Sequence, residues 1–154
     1  MATFDYTNGD LAGLQMQAGA QAGVNIWELD FAEVYADHPA LANGDKIVVG
    51  HIGKGFNCHG VSAETVSPSQ AGASALSLTD EAAAVILDAH DITTAGTLSG
   101  PKAGLATVFG GGQATGLHNL FVTADKDIVV VVGAVVPQKG VLRIAADLAH
   151  MANF

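Results

Sequence analysis

The sequence predicts an all-β sandwich in one domain. Turn formers are frequent: 19 of the 154 residues are glycine, well above the usual ~7%. Several stretches alternate apolar and polar residues with period two, the mark of a strand with one buried face. Turn signals recur at roughly 8–12-residue spacing along about eight such stretches, a pattern of sandwiches and barrels.

The division expected along the chain is an N-terminal arm, 1–23, and a single sandwich domain, 24–154. The arm contains Leu11-Ala-Gly-Leu-Gln-Met-Gln-Ala-Gly-Ala-Gln-Ala-Gly23, too poor in large apolar side chains to anchor a core helix. The first strand is placed at Val24–Val34, where Trp27, Leu29 and Phe31 alternate with Glu28 and Asp30. Trp27 shares its phase with Leu29 and Phe31, so it is a core residue. Asp37-His38-Pro39 ends this strand, and Asn43-Gly44 forms a turn. Lys46–Ile52 is the second strand and Gly53-Lys54-Gly55 the turn after it. Phe56–Val66 is the third, with a bulge expected near Gly60 because its alternation is imperfect.

Ala73–Leu78 is a short strand. Thr79-Asp80-Glu81 before Ala82-Ala83-Ala84-Val85-Ile86-Leu87 carries the best helix signal, a hydroxyl cap followed by acids in the first turn. A strand through Ala84–Leu87 is the competing reading, so at most one short helix is expected. Thr93–Gly116 reads as loops around one short strand, Leu105–Phe109. Leu117–Thr123 is a strand. Asp127–Val136 is apolar on both faces and therefore central. Pro137-Gln-Lys-Gly140 reads as a four-residue hairpin loop. In the returning strand Val141–Met151, Leu142, Ile144, Ala146 and Leu148 face one way, and Arg143, Ala145, Asp147 and Ala149 the other. No repeat of 20–50 residues is present.

Composition narrows the function. Only 14% of the residues are charged and 49% are hydrophobic, against about 25% charged in an ordinary soluble domain. A chain so poor in charge is expected to give much of its surface to other protein. The formal net charge is −9, and Lys46, Lys54, Lys102, Lys126, Lys139 and Arg143 are scattered singly. That leaves no basic footprint for nucleic acid or anionic lipid. The longest apolar run, Ile128–Val136, falls far short of the ~20 residues of a membrane helix. Met1–Asp10 lacks a basic n-region and does not read as a signal peptide. One cysteine, Cys58, excludes an intrachain disulfide and fits synthesis in a reducing cytoplasm.

Candidate chemistry is thin. His51, Cys58 and His59 lie on two successive strands that would approach in a hairpin. Zinc needs three or four ligands, and the usual ligand spacings are missing, so a buried Cys beside polar histidines is the preferred reading. Asp88, His90 and Asp91 hold a carboxylate beside a histidine, as a base and its orienter would be. Ser74, Ser77 and Ser99 lack a nucleophile elbow, and the trio reads as turn residues bonding their own backbone. Gly110-Gly-Gly112 with Thr115 lacks the Lys-Ser/Thr pair of a phosphate loop. His38, His118 and His150 are isolated. No catalytic residue, metal or cofactor is expected.

One further pattern is more specific. The opening Met-Ala-Thr-Phe-Asp, the strand Ile26-Trp-Glu-Leu-Asp-Phe31, Gly44-Asp-Lys-Ile-Val-Val49 with the turn Ile52-Gly-Lys-Gly55, and Asp127-Ile-Val-Val-Val131 followed by Gly140 and Val141–Ala149 together resemble small virion structural proteins of tailed bacteriophages. The match spans most of residues 1–149; Ala82–Gly116 departs from it. The resemblance implies a jelly-roll-like antiparallel sandwich and a capsid decoration, or cement, protein. It implies a homotrimer on the capsid surface, bound to the major capsid protein of the same virion, and it carries over no active-site residues. Rival readings are a head-fibre or receptor module gripping host glycan, a cupin-like metalloenzyme, and a tail or neck component. Exposed aromatics in the Gly-rich loops would favour the first, and stoichiometric metal dependent on His51 or His59 the second.

Overall fold

The computed structural model describes residues 1–7, 22–100, 120–121 and 124–150. Among the described residues, ten strands and one helix follow in order: β1 (Thr3–Asp5), β2 (Ala22–Asp30), α1 (Phe31–Asp37), β3 (Lys46–Ile52), β4 (Phe56–Ser67), β5 (Leu76–Thr79), β6 (Val85–His90), β7 (Leu98–Ser99), β8 (Leu120–Phe121), β9 (Lys126–Val131) and β10 (Val141–His150). They form two sheets, ordered β1-β3-β9-β5-β6 and β2-β10-β4-β7, with β8 also on β4.

The pairing is nested. β2 pairs with β10, β3 with β9, β4 with β7 and β5 with β6, all antiparallel. This is one long hairpin rolled into two facing sheets, the jelly-roll winding. The expected all-β sandwich is therefore present, with one short helix among the described residues. β9 lies in the middle of its sheet, as its apolar run predicts: Ile128 and Val130 enter the core, and Val129, on the opposite side, is also buried.

The inner faces follow strand alternation. Leu142, Ile144, Ala146 and Leu148 of β10 are all buried. They meet Trp27 and Leu29 from β2, Cys58, Val61 and Ala63 from β4, and Ile47, Val49, Ile128 and Val130 from the other sheet. Burying each large aliphatic side chain contributes about 1.5–3 kcal/mol. Trp27 reaches across the sandwich to Gly50 of β3, where an added Cβ would lie 2.5, 2.7 and 2.9 Å from three indole carbons. The indole thus occupies the space a side chain would need.

Several elements differ from expectation. The first strand stops at Asp30, not Val34, because the Asp30 carboxylate accepts the Ala32 N–H and caps α1. Phe31 and Val34, three residues apart, then face the core from the helix. The helix ends before Pro39, whose ring disfavours helical backbone at the residue before it.

The helix expected at Ala82–Leu87 is instead a turn and β6, the competing reading. Asp80 Oδ1 accepts the N–H groups of Ala82 and Ala84, and Ala83 is left-handed at φ +67°, which breaks any helix. So short a helix would be marginal alone, whereas strand pairing buries Ile86 and Leu87 beside β5. β5 itself is shifted to Leu76–Thr79 from the expected Ala73–Leu78.

The expected hairpin around Pro137–Gly140 is a crossing between sheets. β9 ends at Val131 rather than Val136, and 132–140 carry the chain to the opposite layer. Val132 N–H bonds to Asp45 O, Ser74 N–H to Val135 O and Phe31 N–H to Gly140 O along the way. Gly140 sits at φ +104°, with a would-be Cβ 2.8–2.9 Å from the Ser67–Ser69 backbone, so only glycine fits.

The expected arm is described at its start. β1 runs parallel to β3 at the sheet edge; residues 8–21 lie outside the described residues. The predicted bulge is observed: β10 partners step from Gly60 to Cys58, skipping His59.

Two substitutions test the packing. Gly50→Ala is expected to cost about 1–3 kcal/mol by overpacking against Trp27. Ile26→Ala, on the outer side of β2, should stay within about 0.5 kcal/mol of the parent. Urea unfolding of both variants measures the contrast.

Candidate functional surfaces

The chemistry-bearing residues singled out in the sequence are mostly dispersed by the fold. β3 and β4 lie in different sheets, so His51 and Cys58 are not hairpin neighbours. His51 Nδ1 pairs with Asp127 Oδ1 across β3 and β9. Cys58 is fully buried. Burial first, with Asp147 adding to it, pushes its thiol up to about 11, against a smaller opposing effect of a hydrogen bond from the Gly60 backbone. His59 falls at the β4 bulge. Among the described residues no group of three His, Cys, Asp or Glu converges as a metal site requires.

The Asp88-Ala-His90-Asp91 segment divides between surface and core. Asp88 accepts from Ser77 Oγ (2.8 Å). The Asp91 carboxylate accepts from the Thr93 N–H and hydroxyl, which hold it below the ordinary carboxylate value. Those are turn bonds, as expected. His90 is different: it is 1% exposed, with Nε2 2.9 Å from Thr65 Oγ1 and Nδ1 2.7 Å from Ser99 Oγ. The sequence singled out His90 beside Asp91, but nothing in it marked these two partners, because Thr65 and Ser99 come from other strands. Ser74 Oγ accepts from Val135 N–H. Gly110–Gly112, Thr115, His118 and the strand expected at Leu105–Phe109 lie outside the described residues.

A second polar cluster fastens the N-terminus. The buried carboxylate of Asp45 accepts from Ala2 N–H and Ala42 N–H (both 2.9 Å), which lower its pKa. Asp5 takes the Thr7 hydroxyl and N–H, and its pKa falls for that reason. Phe4 stacks on His38 with centroids 3.9 Å apart. Tyr6 donates to Asp37, and burial followed by that carboxylate pushes the phenol up to about 12. His38 is thus part of the fastening of β1.

The outer face of the β2-β10-β4-β7 sheet is the most exposed apolar ground. Val24 and Ile26 of β2, Val66 of β4 and Leu98 of β7 all stand exposed there. Arg143 crosses its centre, donating from Nε and Nη2 to Glu28 (3.1 and 2.9 Å) and lying 3.5 Å from Glu64. Opposite charges in register across three strands, Glu28, Arg143 and Glu64, keep this face partly polar. Among the described residues, no nucleophile and base converge on this face.

Fold and surfaces together define the protein as a jelly-roll sandwich with the polar bonds of its described core spent on structure. No known protein-family profile matches the chain, and no curated protein sequence matches it. Two solved structures share its fold almost end to end. One is a chain of the capsid of Ralstonia phage GP4, 12% identical, with a TM-score of 0.55, covering 97% of this chain and 98% of that one. The other belongs to the cyanophage Pam1 capsid asymmetric unit, 16% identical, with a TM-score of 0.50, covering 86% and 88%. The likeness to these phage capsid chains is one of fold.

Burial of Cys58 yields a direct check. Its thiol should resist a thiol-reactive dye at pH 8 in the folded protein and react stoichiometrically after denaturation in guanidinium. Rapid labelling of the native state would contradict the placement of this side chain.

Proposed function

We propose that the protein is a non-enzymatic virion component, a decoration protein that binds the assembled phage head and stabilises it. The observation that carries this reading is the shared fold over 97% of this chain and 98% of a chain in a phage capsid. Its partner would be the major capsid protein of the same virion, and its site the capsid surface after synthesis in the host cytoplasm. The low charge content supports the same reading, since a surface given over to other subunits needs less charge to stay in solution.

The arm and the sandwich, 1–23 and 24–154, divide the work in this proposal. The sandwich supplies a rigid body. Residues 11–23 carry no charge and 93–116 carry only Lys102, so these small-residue stretches are the contacts expected against neighbouring subunits. Small side chains lose little entropy on being ordered. A trimer is the expected unit, matching three copies around one capsid axis.

Stabilisation would work by mass action. A ligand that binds only the assembled shell shifts assembly by about 2.7 kcal/mol per site when present at a hundredfold excess over Kd. Summed over many sites, modest individual affinity suffices.

Two measurements test this reading. Heads prepared without the protein should lose their DNA at lower temperature and under milder osmotic shock, and purified protein added back should restore both. Equal stability with and without it sinks the decoration role, and specific glycan binding by the isolated protein would move the assignment to a receptor module. Sedimentation at micromolar concentration should give a trimer; a monomer at that concentration contradicts the proposed unit.

A further inference from the structure

We propose that His90 is an acid-sensitive latch that holds β7 against β4, closed while the imidazole is neutral and released when it takes up a proton. The hydrogen-bond partners fix its state. Thr65 has one hydroxyl proton, and Asp91 O, 2.7 Å away, can only accept it. Thr65 Oγ1 must therefore accept from His90, which places a proton on Nε2. Nδ1 of the neutral ring is then an acceptor, and the Ser99 hydroxyl donates to it. One imidazole thus links β6 in one sheet to β4 and β7 in the other.

The backbone is bent to put it there. Leu76 pairs with His90 and Leu78 with Leu87, so Asp88 and Ala89 stand opposite Ser77 alone. Ala89 takes φ +55° in this bulge, a conformation costly for a residue with a Cβ. The bulge turns the side chain at 90 inward after two exposed residues. A bulge that re-aims one side chain is a recurrent device beside functional groups.

Protonation has little to compensate it. A proton arriving from solvent would sit on Nδ1, facing the hydroxyl that now donates to it, and Ser99 would have to turn its hydrogen away. From β5 the group opposite is Leu76, from β4 the Thr65 hydroxyl and from β7 the Ser99 hydroxyl. Asp91, next in the chain, attracts the proton, but its carboxylate is engaged by Thr93. Asp88 is turned to Ser77 and Glu64 to Arg143. Burial outweighs the attraction of Asp91 and holds the imidazole below its ordinary value of 6.5. The open form consequently binds more protons than the closed one. Stability is full above about pH 6.5 and falls as the pH drops from there towards the lowered value in the fold.

β7 is the element that gives way, because its other attachments among the described residues are few. It is two residues long and pairs with β4 only at Ala63 and Glu64. The flanking bonds join Thr65 N–H to Thr97 O and Gly96 N–H to Thr65 O. Leu98 and Ser99 form one wall of a shallow groove of about 180 Å³ on the outer face, with Arg143 and Ala145 opposite. Release of β7 would open that groove and reshape the exposed face.

Hydrogen exchange on the full-length protein between pH 7.5 and 5.0, corrected for intrinsic rates, tests the latch. Between about pH 6.5 and the lowered value of the closed form, the segment containing Leu98 and Ser99 should lose up to about tenfold protection per unit of pH, following one-proton linkage, while β2 and β10 keep theirs. His90→Gln, neutral throughout, should remove the pH dependence. Equal acid-induced loss in that variant, or loss spread evenly over the sandwich, overturns the proposal. Should the variant fail to fold, imidazole ¹⁵N shifts of the parent decide: the Nε2–H tautomer with a midpoint below 6.5 is expected, and the other tautomer or a midpoint at or above 6.5 refutes it.

Discussion

The winding of the chain between its two layers is the constraint on which everything else rests. Of the connections in the rolled hairpin, β5 to β6 alone is a local strand pair; β2 to β3, β3 to β4, β4 to β5, β6 to β7, β8 to β9 and β9 to β10 all change sheets. Neither layer can form its inner face from neighbouring stretches of sequence. β10, from the C-terminal part of the chain, must lie between β2 and β4 before Ile144 and Leu148 have anything to bury against. Trp27 on Gly50 is the tightest expression of this: a residue of the first long strand fills a gap in the next, across the sandwich. Folding of so non-local a topology is expected to be slow relative to helical domains of similar size.

Polar side chains in this molecule mostly secure crossings and edges. Asp45 holds the N-terminus and the loop before β3, Asp80 shapes the β5–β6 turn, and Thr65 with His90 ties the layers where β7 meets β4. Asp45, Asp80 and His90 all take backbone or hydroxyl partners, so these buried groups are satisfied as a stable core requires. Under the proposed function, the contact surface among the described residues is chiefly the outer face of the β2-β10-β4-β7 sheet.

The position next to β4 is shared by two short strands. Its two short strands, β7 and β8, pair with different parts of β4, at Ala63–Glu64 and at Asn57–Cys58. Between them lie twenty residues of sequence, 100–119, rich in glycine. β4 itself stays paired to β10 from Phe56 to Ser67. An edge strand can be split where a central one such as β9 cannot.

Alternation and turn chemistry alone determined that the protein is a β sandwich, that β9 is central and which side of β10 is buried. Each depends on side-chain period and local backbone preference, which a linear sequence displays directly. The bulge at Gly60 was legible for the same reason. Other features were decided only by the tertiary structure. Val24–Val34 splits at Asp30 because helix α1 has a core to cap against. Ala84–Leu87 becomes a strand because β5 offers an edge to pair with. The chain after Val131 crosses layers instead of turning back, and no local residue pattern tells a crossing from a hairpin. His90 shares its environment with Thr65 and Ser99, distant in sequence from one another. Local propensity is written residue by residue, whereas sheet membership and the partners of a buried polar group exist only once distant strands have met.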